Sequence, residues 1–271
     1  MPRLNFWTLV SISTWLLLLV LLFLPVGSIL ISSVYDDAGN LTLANYARFL
    51  SEPRFHRAFL NTLVVGFGGL AGALLLGSIM AFCISRFVIV GSRFVSLLAI
   101  LALVSPPFIG AYSWIVLFGG GGLVRGWLRA VGINIPPIYG LAGILMVFSF
   151  KFYPYVYLMV SGALSNVNRS LEEAAEGLGL TPWQRAFKIS FPMVFPALSA
   201  GGLLALIHAI ADFGTPRLLG RGYNVLATEA FNLYSAEIGS NMSMATTISV
   251  FLIAVSMIFV LLQRYMSRRN V

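Results

Sequence analysis

The sequence predicts an all-α integral membrane protein with six transmembrane helices. Hydrophobic residues occupy 59% of the 271 positions, charged residues occupy only 10%, and the mean hydropathy is +0.91. A membrane-spanning helix needs about 20 mainly apolar residues, and six segments of the chain meet that requirement. These segments are residues 6–31, 60–84, 94–118, 138–160, 197–219 and 244–263.

The first two apolar segments have the features of ordinary membrane helices. Residues 6–31 are longer than the hydrophobic region of a signal peptide, and no cleavage site with small residues in the A-x-A pattern follows them. We therefore expect this helix to be retained. The second segment contains Cys83, the single cysteine of the chain, which excludes an intrachain disulfide and is expected to pack within the membrane.

The charged residues predict that both termini lie in the cytoplasm. The net charge is +8, but the 17 basic residues are scattered through the loops, which is typical of a membrane protein and not of a nucleic-acid-binding protein. In this orientation nine basic residues lie inside and seven outside. The cluster Arg264, Arg268 and Arg269 is the stronger indication, because charge close to a membrane end counts most. Residues 85–93 and 161–196 are then cytoplasmic loops.

The other loops are then extracytoplasmic, and two of them contain amphipathic stretches. Residues 43–59 and 123–131 each combine an apolar side with arginine and aromatic side chains. Helices that lie at a membrane interface have this composition. The same stretches are equally compatible with simple connectors, and the sequence leaves both interpretations open.

The long cytoplasmic loop of residues 161–196 contains signals for a short helix. Ser170 and Glu173 have the S-x-x-E spacing of a capping box, in which each side chain accepts a hydrogen bond from a backbone N–H group. Gly177 and Gly179 would end this helix, because glycine readily adopts the left-handed conformation found after helix C-termini.

A second short helix is predicted to follow. Thr181 is suited to the N-cap, Pro182 to the first helical position, where its missing N–H costs nothing, and Gln184 to the third position. We expect Pro192 to interrupt this helix. The loop is therefore predicted to be a helix, a tight glycine turn and another helix.

The surface of this pair of helices could receive another protein. Ala174 and Ala175 form a small, nearly flat surface that would allow another backbone to approach closely. Trp183 and Phe187 could be contact anchors for a partner or props against the protein's own helices. Glu173 could complete the cap or meet the partner. The sequence leaves these alternatives open.

These residues carry a specific resemblance. Residues 173–192 resemble the EAA loop, E-A-A-x-x-x-G-x₉-I-x-L-P, of the membrane subunits of binding-protein-dependent ABC importers. The one departure from that pattern is Phe191, where leucine is usual. The matching positions are Glu173, Ala174, Ala175, Gly179, Ile189 and Pro192.

The resemblance implies a fold, a division of the chain and a set of partners. It implies a MetI-like transmembrane domain of a type I importer over residues 60–265, preceded by a first helix and outer loop in residues 1–59 and followed by a tail, residues 266–271. In that family the loop, here residues 165–196, docks into a groove on an ATPase subunit. A complete importer in the bacterial inner membrane would contain two ATPase subunits, a second permease subunit, identical or different, and an extracytoplasmic solute-binding protein.

The resemblance also assigns roles to the matching residues. Glu173 would meet a basic residue of the ATPase, Ala174 and Ala175 would permit the close approach, and Gly179 would make the turn. The residues expected to couple this chain to the ATPase are Glu173, Ala174, Ala175, Gly179, Trp183, Ile189 and Pro192.

The motifs of an ATPase or of other common enzymes are missing from the sequence. The two lysines, Lys151 and Lys188, follow phenylalanines, so neither belongs to the G-x-x-x-x-G-K-[ST] pattern of a P-loop. H-E-x-x-H and G-x-S-x-G do not occur either. We therefore expect a non-catalytic subunit without a cofactor or metal of its own, whose ATPase partner binds ATP and Mg²⁺.

Ionisable side chains within the apolar segments mark a candidate pathway, because such groups are costly in a membrane and usually functional. Three of them are Lys151, His208 and Asp212, of which the last two, four positions apart, are expected on one helix face. Gly214 and Pro216 would break the fifth segment, which is tolerated where protein or a water-filled cavity covers the backbone. We expect a gate or cavity here, in which Asp212 and Lys151 form a structural clasp or line the path.

A second, looser resemblance concerns the solute. Residues 151–157 and 211–220 resemble the importers of ferric iron, polyamines and organophosphonates such as 2-aminoethylphosphonate. The expected function is a permease subunit for a small solute of one of these types. The alternative is a secondary transporter that uses Asp212 and His208 as an ion relay, for which inverted repeats would be expected but are not evident. A membrane scaffold would leave the broken fifth segment unexplained.

Overall fold

The computed structural model describes residues 5–36, 38–166, 174–236 and 241–269. Within these ranges the chain is helical, and six helical stretches are long and apolar enough to cross a membrane. They are Phe6–Ser32, Pro53–Arg86, Phe108–Ala130, Leu141–Ser165, Pro182–Ala211 and Met242–Met266. The predicted class, an all-α membrane protein with six spans, is confirmed.

Eleven helices are labelled here among the described residues. They are α1 (Phe6–Ser32), α2 (Ala44–Ser51), α3 (Pro53–Arg86), α4 (Ser92–Val104), α5 (Pro107–Phe118), α6 (Leu123–Ala130), α7 (Leu141–Ser165), α8 (Pro182–Ala211), α9 (Gly214–Leu219), α10 (Leu226–Ser235) and α11 (Met242–Arg269). Residues 174–177 form one further helical turn before α8.

The pair α3 and α7 forms the centre of the bundle, and glycines on α3 allow the close approach. A Cβ atom on Gly69 would lie 3.0 Å from the Cβ of Phe148, and one on Gly77 would lie 2.7 Å from the carbonyl oxygen of Tyr153. Since these contacts advance along both helices together, α3 and α7 run in the same direction. We call the end with Pro53 the outer end of the bundle and the end with Arg86 the inner end.

The third predicted segment, residues 94–118, differs from the expectation because it is not one helix. It is divided between α4 and α5, which are separated by Ser105 and Pro106 in extended conformation. A proline lacks the backbone N–H that a continuing helix needs, and the residue before it disfavours helical geometry. The break places Ser105 beside a cavity that is described below.

The fifth segment starts much earlier than expected, and the predicted interruption at Pro192 is wrong. Helix α8 is continuous from Pro182 to Ala211, although Pro192 and Pro196 both lie within it. Residues Ala186–Ser190 form a π-helical turn that ends two residues before Pro192. A π-turn widens the helix locally, which accommodates a proline ring that would otherwise collide with the carbonyl four residues earlier.

The two predicted amphipathic stretches form α2 and α6, and they differ in packing. Phe49 of α2 is 4% exposed and stacks on Phe251 of α11 with ring centroids 3.9 Å apart, so α2 belongs to the protein core. Helix α6 buries no residue, and its Trp127 is 75% exposed. The interfacial interpretation therefore fits α6 better than α2.

Candidate functional site

The glycine turn before α8 has the geometry that the sequence predicts. Gly179 has a φ of +81°, which is the left-handed conformation. The N–H of Leu180 donates to the carbonyl of Ala175 (3.1 Å), and the N–H of Gly179 donates to that of Glu176 (2.9 Å). These two bonds form a Schellman motif. Ser170 and Glu173, which carry the first predicted cap and one coupling contact, lie outside the described residues.

The start of α8 is capped as predicted. The N–H of Gln184 donates to Oγ1 of Thr181 (3.3 Å), and the N–H of Thr181 donates to Oε1 of Gln184 (3.0 Å), which completes a capping box. Arg185 of α8 donates to Oε2 of Glu176 across the turn at 2.6 Å. The segment of residues 174–185, which we call the coupling segment, is therefore tied on both sides of Gly179.

The side chains of the coupling segment and of the next turns of α8 divide into buried and exposed groups. Ala174 is exposed, whereas Ala175 is 5% exposed, so the two alanines do not form one free surface. Trp183 is 74% exposed and Phe187 53% exposed, with ring centroids 4.9 Å apart. The interpretation of Trp183 as an internal prop is therefore not supported. Ile189 is half-buried and Pro192 is exposed.

The predicted pathway residues of the fourth and fifth segments meet in a cavity of about 360 Å³. Helices α4, α7 and the end of α8 form its walls. Lys151 lies ten residues after the start of α7, which places it about 15 Å from the outer end. The described lining residues are Ala102, Leu103, Ser105, Lys151, Phe152, Tyr155, His208, Ala211, Asp212, Phe213 and Gly214. We call this space the inner cavity because it lies deeper in the bundle than the outer end; the name does not refer to the inner end.

An ion pair between Lys151 and Asp212 lies on the wall of the inner cavity. Nζ of Lys151 donates to Oδ2 of Asp212, and the N–H of Thr215 donates to Oδ1 of Asp212 at 2.9 Å. The side chains of Lys151 and Asp212 are 19% and 5% exposed, so a charge left without its partner would be costly here. Both proposed roles of the pair, as a clasp and as cavity lining, are compatible with this geometry.

The break in the fifth segment is where the sequence places it, but one detail differs. Helix α8 ends at Ala211, and Asp212 is extended with a ψ of 117°. Asp212 and His208 therefore do not share a helix face, although both line the inner cavity. Gly214 and Pro216 are buried in α9, the short helix that follows the break.

His208 is held by its own helix and by an aromatic ring. Its Nδ1–H donates to the carbonyl of Leu204 at 2.8 Å, and its ring stacks on Tyr155 with centroids 4.6 Å apart. Tyr155 was not predicted as a site residue. The stretch KFYPYVY around it contains a possible signal, because Lys151 and Tyr155 are four positions apart on α7 and share a face.

A second ion pair, at the outer end, was also missed. Arg54 in the first turn of α3 pairs with Glu229 of α10, whose side chain is 1% exposed. The residues are 175 positions apart. The one available signal was a glutamate among apolar residues in LATEAF.

Comparisons with known proteins identify a family and relatives of this chain. A profile of the family described as "Binding-protein-dependent transport system inner membrane component" matches residues 73–271. A Salmonella typhimurium protein named provisionally as the 2-aminoethylphosphonate transport system permease protein PhnU is 29% identical over 262 residues, covering 94% of this chain and 91% of PhnU. The ferric transport system permease protein FbpB of Actinobacillus pleuropneumoniae is 28% identical over 253 residues, covering 92% of this chain and 36% of FbpB.

A solved structure shares the fold. It is the bacterial alginate ABC transporter in complex with an alginate pentasaccharide-bound periplasmic protein, of which one chain matches with a TM-score of 0.78 and 21% identity. The match covers 97% of this chain and 94% of the other. At this identity the likeness concerns the fold.

Proposed function

The chain belongs to the family of inner membrane components of binding-protein-dependent transport systems, and on that premise we propose that it forms half of the pathway through which an ATP-driven importer moves a small solute. It is a multi-pass protein of the bacterial inner membrane and a permease subunit of the ABC importer type. In this proposal the coupling segment lies in the cytoplasm and the inner cavity lies on the pathway.

One observation carries the proposal: a single continuous helix joins the coupling segment to the inner cavity. Helix α8 begins at Pro182, three residues after Gly179, and ends at Ala211, directly before Asp212. Thirty residues of helix span about 45 Å. A displacement of Trp183 by an ATPase would therefore be transmitted along α8 to the ion pair of Asp212 and Lys151.

The partners follow from this arrangement. Two ATPase subunits would bind ATP and Mg²⁺ and would close against the coupling segments of this chain and of a second permease subunit. Trp183 and Phe187 offer an exposed aromatic surface at the inner end, and aromatic residues are common anchors in protein interfaces. Glu173 would meet a basic residue of the ATPase. An extracytoplasmic solute-binding protein would deliver the solute to the outer end.

The inner cavity favours a phosphonate-type solute among the three solute types considered. Lys151 would attract an acidic group and would repel a polyamine, while Asp212 would attract an amine. Asp212 is the one carboxylate among the described lining residues, and Lys151 would repel a ferric ion as it would repel a polyamine. A small solute with an acidic group and an amine could exchange partners with both members of the ion pair. PhnU is named for transport of such a compound, 2-aminoethylphosphonate.

Co-purification tests the coupling to an ATPase. The chain is expressed with its natural partners as wild type, Glu173→Lys and Gly179→Pro, with Gly177→Ala as the matched control. We expect the wild type and the control to retain the ATPase and to support ATP-dependent uptake, and the other two variants to lose both. Retention of ATPase and uptake in Glu173→Lys and Gly179→Pro would contradict the assignment of the coupling segment.

Reconstitution of the isolated chain tests the alternative, a secondary transporter with Asp212 and His208 as an ion relay. The described contacts do not favour that function, because Asp212 is paired with Lys151 and Nδ1 of His208 is bonded to Leu204. Uptake driven by an ion gradient in liposomes without an ATPase would overturn the proposal. We expect no uptake under those conditions.

A further inference from the structure

A second polar cavity lies at the outer end of the bundle, separate from the inner cavity. Its volume is about 350 Å³. It is formed by the first turns of α3 and by the chain between α9 and α10. The described lining residues are Arg54, Arg57, Ala58, Asn61, Gly222, Asn224 and Glu229. We call this space the outer cavity.

The carboxylate of the outer cavity is already fully used. Glu229 accepts from Arg54 through Oε2 and from the side-chain amide of Asn224 through Oε1 at 2.8 Å. Its side chain is 1% exposed, while that of Arg54 is 52% exposed. Glu229 therefore holds the guanidinium of Arg54 in place, and part of that guanidinium still faces the cavity.

A second guanidinium, that of Arg57, has no acidic partner among the described residues. Nε of Arg57 donates to the carbonyl of Pro53 at 3.3 Å, and none of the ion pairs between described residues includes Arg57. The charged groups among the described lining residues are thus two arginines and one carboxylate, with a net charge of +1. The side-chain amide of Asn61, which donates to the carbonyl of Asn224 at 2.8 Å, adds a polar wall.

We infer that the outer cavity binds an oxyanion, the phosphonate or carboxylate group of the transported solute, before the solute reaches Lys151. A guanidinium group can donate two parallel hydrogen bonds to two oxygens of a phosphonate or carboxylate. Arg57 is the lining arginine whose charge is not balanced by a described acidic residue. This inference rests on the proposed function, which makes the outer end the side from which the solute arrives.

The two cavities are joined by one stretch of chain. Residues 212–229 begin at Asp212 in the inner cavity and end at Glu229 in the outer cavity. The stretch is held to α3 by the ion pair of Glu229 with Arg54 and to α7 by that of Asp212 with Lys151. One stretch of chain therefore supplies a carboxylate to each cavity, and each carboxylate is paired with a cation of a neighbouring helix.

Direct binding of methylphosphonate tests the inference. The purified permease–ATPase complex is titrated by calorimetry in a phosphate-free maltoside detergent, in a Lys151→Gln/Asp212→Asn background that removes the cation of the inner cavity without leaving the carboxylate of Asp212 unpaired. We expect Arg57→Gln to weaken binding by about tenfold or more, since a hydrogen bond to a charged group is lost. Arg57→Lys, which keeps the charge without the fork, is expected to give an intermediate affinity.

Arg48→Gln is the matched control, because Arg48 also lies near the outer end but pairs with Glu52 and does not line the cavity. Equal affinities for the parent, Arg57→Gln and Arg48→Gln would overturn the inference, as would equal losses in the two variants. The proposed function would survive either result, because ATP-dependent uptake is measured separately. If no ATPase joins the chain, the titration is made on the permease alone.

Two further arms identify the source of the oxyanion. Titrations are repeated in nanodiscs of phosphatidylglycerol, where a large loss of affinity would show that a lipid phosphate occupies the cavity and would overturn the assignment to solute. Docking of the solute-binding protein is measured in parallel. Weaker docking of the solute-binding protein to Arg57→Gln, with unchanged methylphosphonate affinity, would show that the cavity is a contact site for that protein. This result would also overturn the inference.

Discussion

Lys151 and Asp212 are 61 positions apart in the sequence and form an ion pair where α8 ends. The pair joins α7 to the break that separates α8 from α9, and it lies on the wall of the inner cavity. Since α8 begins in the coupling segment, the pair is the point at which a movement at the inner end would reach the proposed pathway.

Breaking this ion pair from one side is expected to destabilise the protein. Lys151→Met leaves the carboxylate of Asp212 buried without its cation, which costs about 3–5 kcal/mol in comparable buried pairs. The double variant Lys151→Met/Asp212→Asn removes both charges and is expected to recover part of that loss. Thermal unfolding in detergent measures both.

Arg48→Met, which breaks an exposed pair, should change stability by less than about 1 kcal/mol. Strictly additive effects of the two single substitutions would contradict the coupling.

The close contact of α3 and α7 predicts a large effect of one methyl group. In Gly77→Ala the new Cβ would lie 2.7 Å from the carbonyl oxygen of Tyr153 and 3.0 Å from the N of Tyr157. Backbone atoms cannot move aside locally, so the helices must separate, at a cost of about 1–3 kcal/mol.

Gly162→Ala on α7 is the control, because nothing lies within 4 Å of its Cβ. Alanine there should stabilise the helix by about 0.5–1 kcal/mol. Equal melting temperatures of the two variants would refute the packing argument.

The glycine turn of the coupling segment predicts a defect in coupling. Gly179→Ala places a side chain in the left-handed region, which costs about 1–2 kcal/mol although the surrounding space is open. The turn should then populate other conformations, and the solute transported per ATP hydrolysed should fall. Gly177→Ala, in the preceding helical turn and also without a neighbour within 4 Å, should keep the wild-type ratio. The ratio is measured in proteoliposomes, and a normal value for Gly179→Ala would count against a rigid turn.

The exposure of Trp183 predicts that it contributes to binding and not to folding. Trp183→Ala should leave the melting temperature nearly unchanged, because the side chain is 74% exposed. It should weaken the affinity for the ATPase by about 2 kcal/mol, or roughly thirtyfold in Kd, if the indole is an interface anchor. Trp127→Ala is the matched control, since Trp127 is 75% exposed on α6 at the other end of the bundle. Surface-immobilised ATPase and purified permease variants give the two Kd values, which should differ.

Features that depend on neighbouring residues could be read from the sequence. The N-cap at Thr181 and the left-handed turn at Gly179 are both present in the structure, because each involves hydrogen bonds between residues a few positions apart. The break near Gly214 was found for the same reason. The predicted interruption of the helix at Pro192 was wrong for a local reason as well, because the π-helical turn before this proline does not follow from a simple residue pattern.

The sequence by itself determined the features that depend on one segment at a time, whereas only the tertiary structure decided the contacts between distant residues. Composition and hydrophobic length determined six membrane spans, because the cost of polar groups in a membrane acts on every segment separately. Whether Ala175 is free or buried, and whether Lys151 meets Asp212, depended on which helices pack together. The pairing of Arg54 with Glu229 across 175 positions is of the same kind, because the charge of each residue was visible in the sequence but its distance from a partner was not.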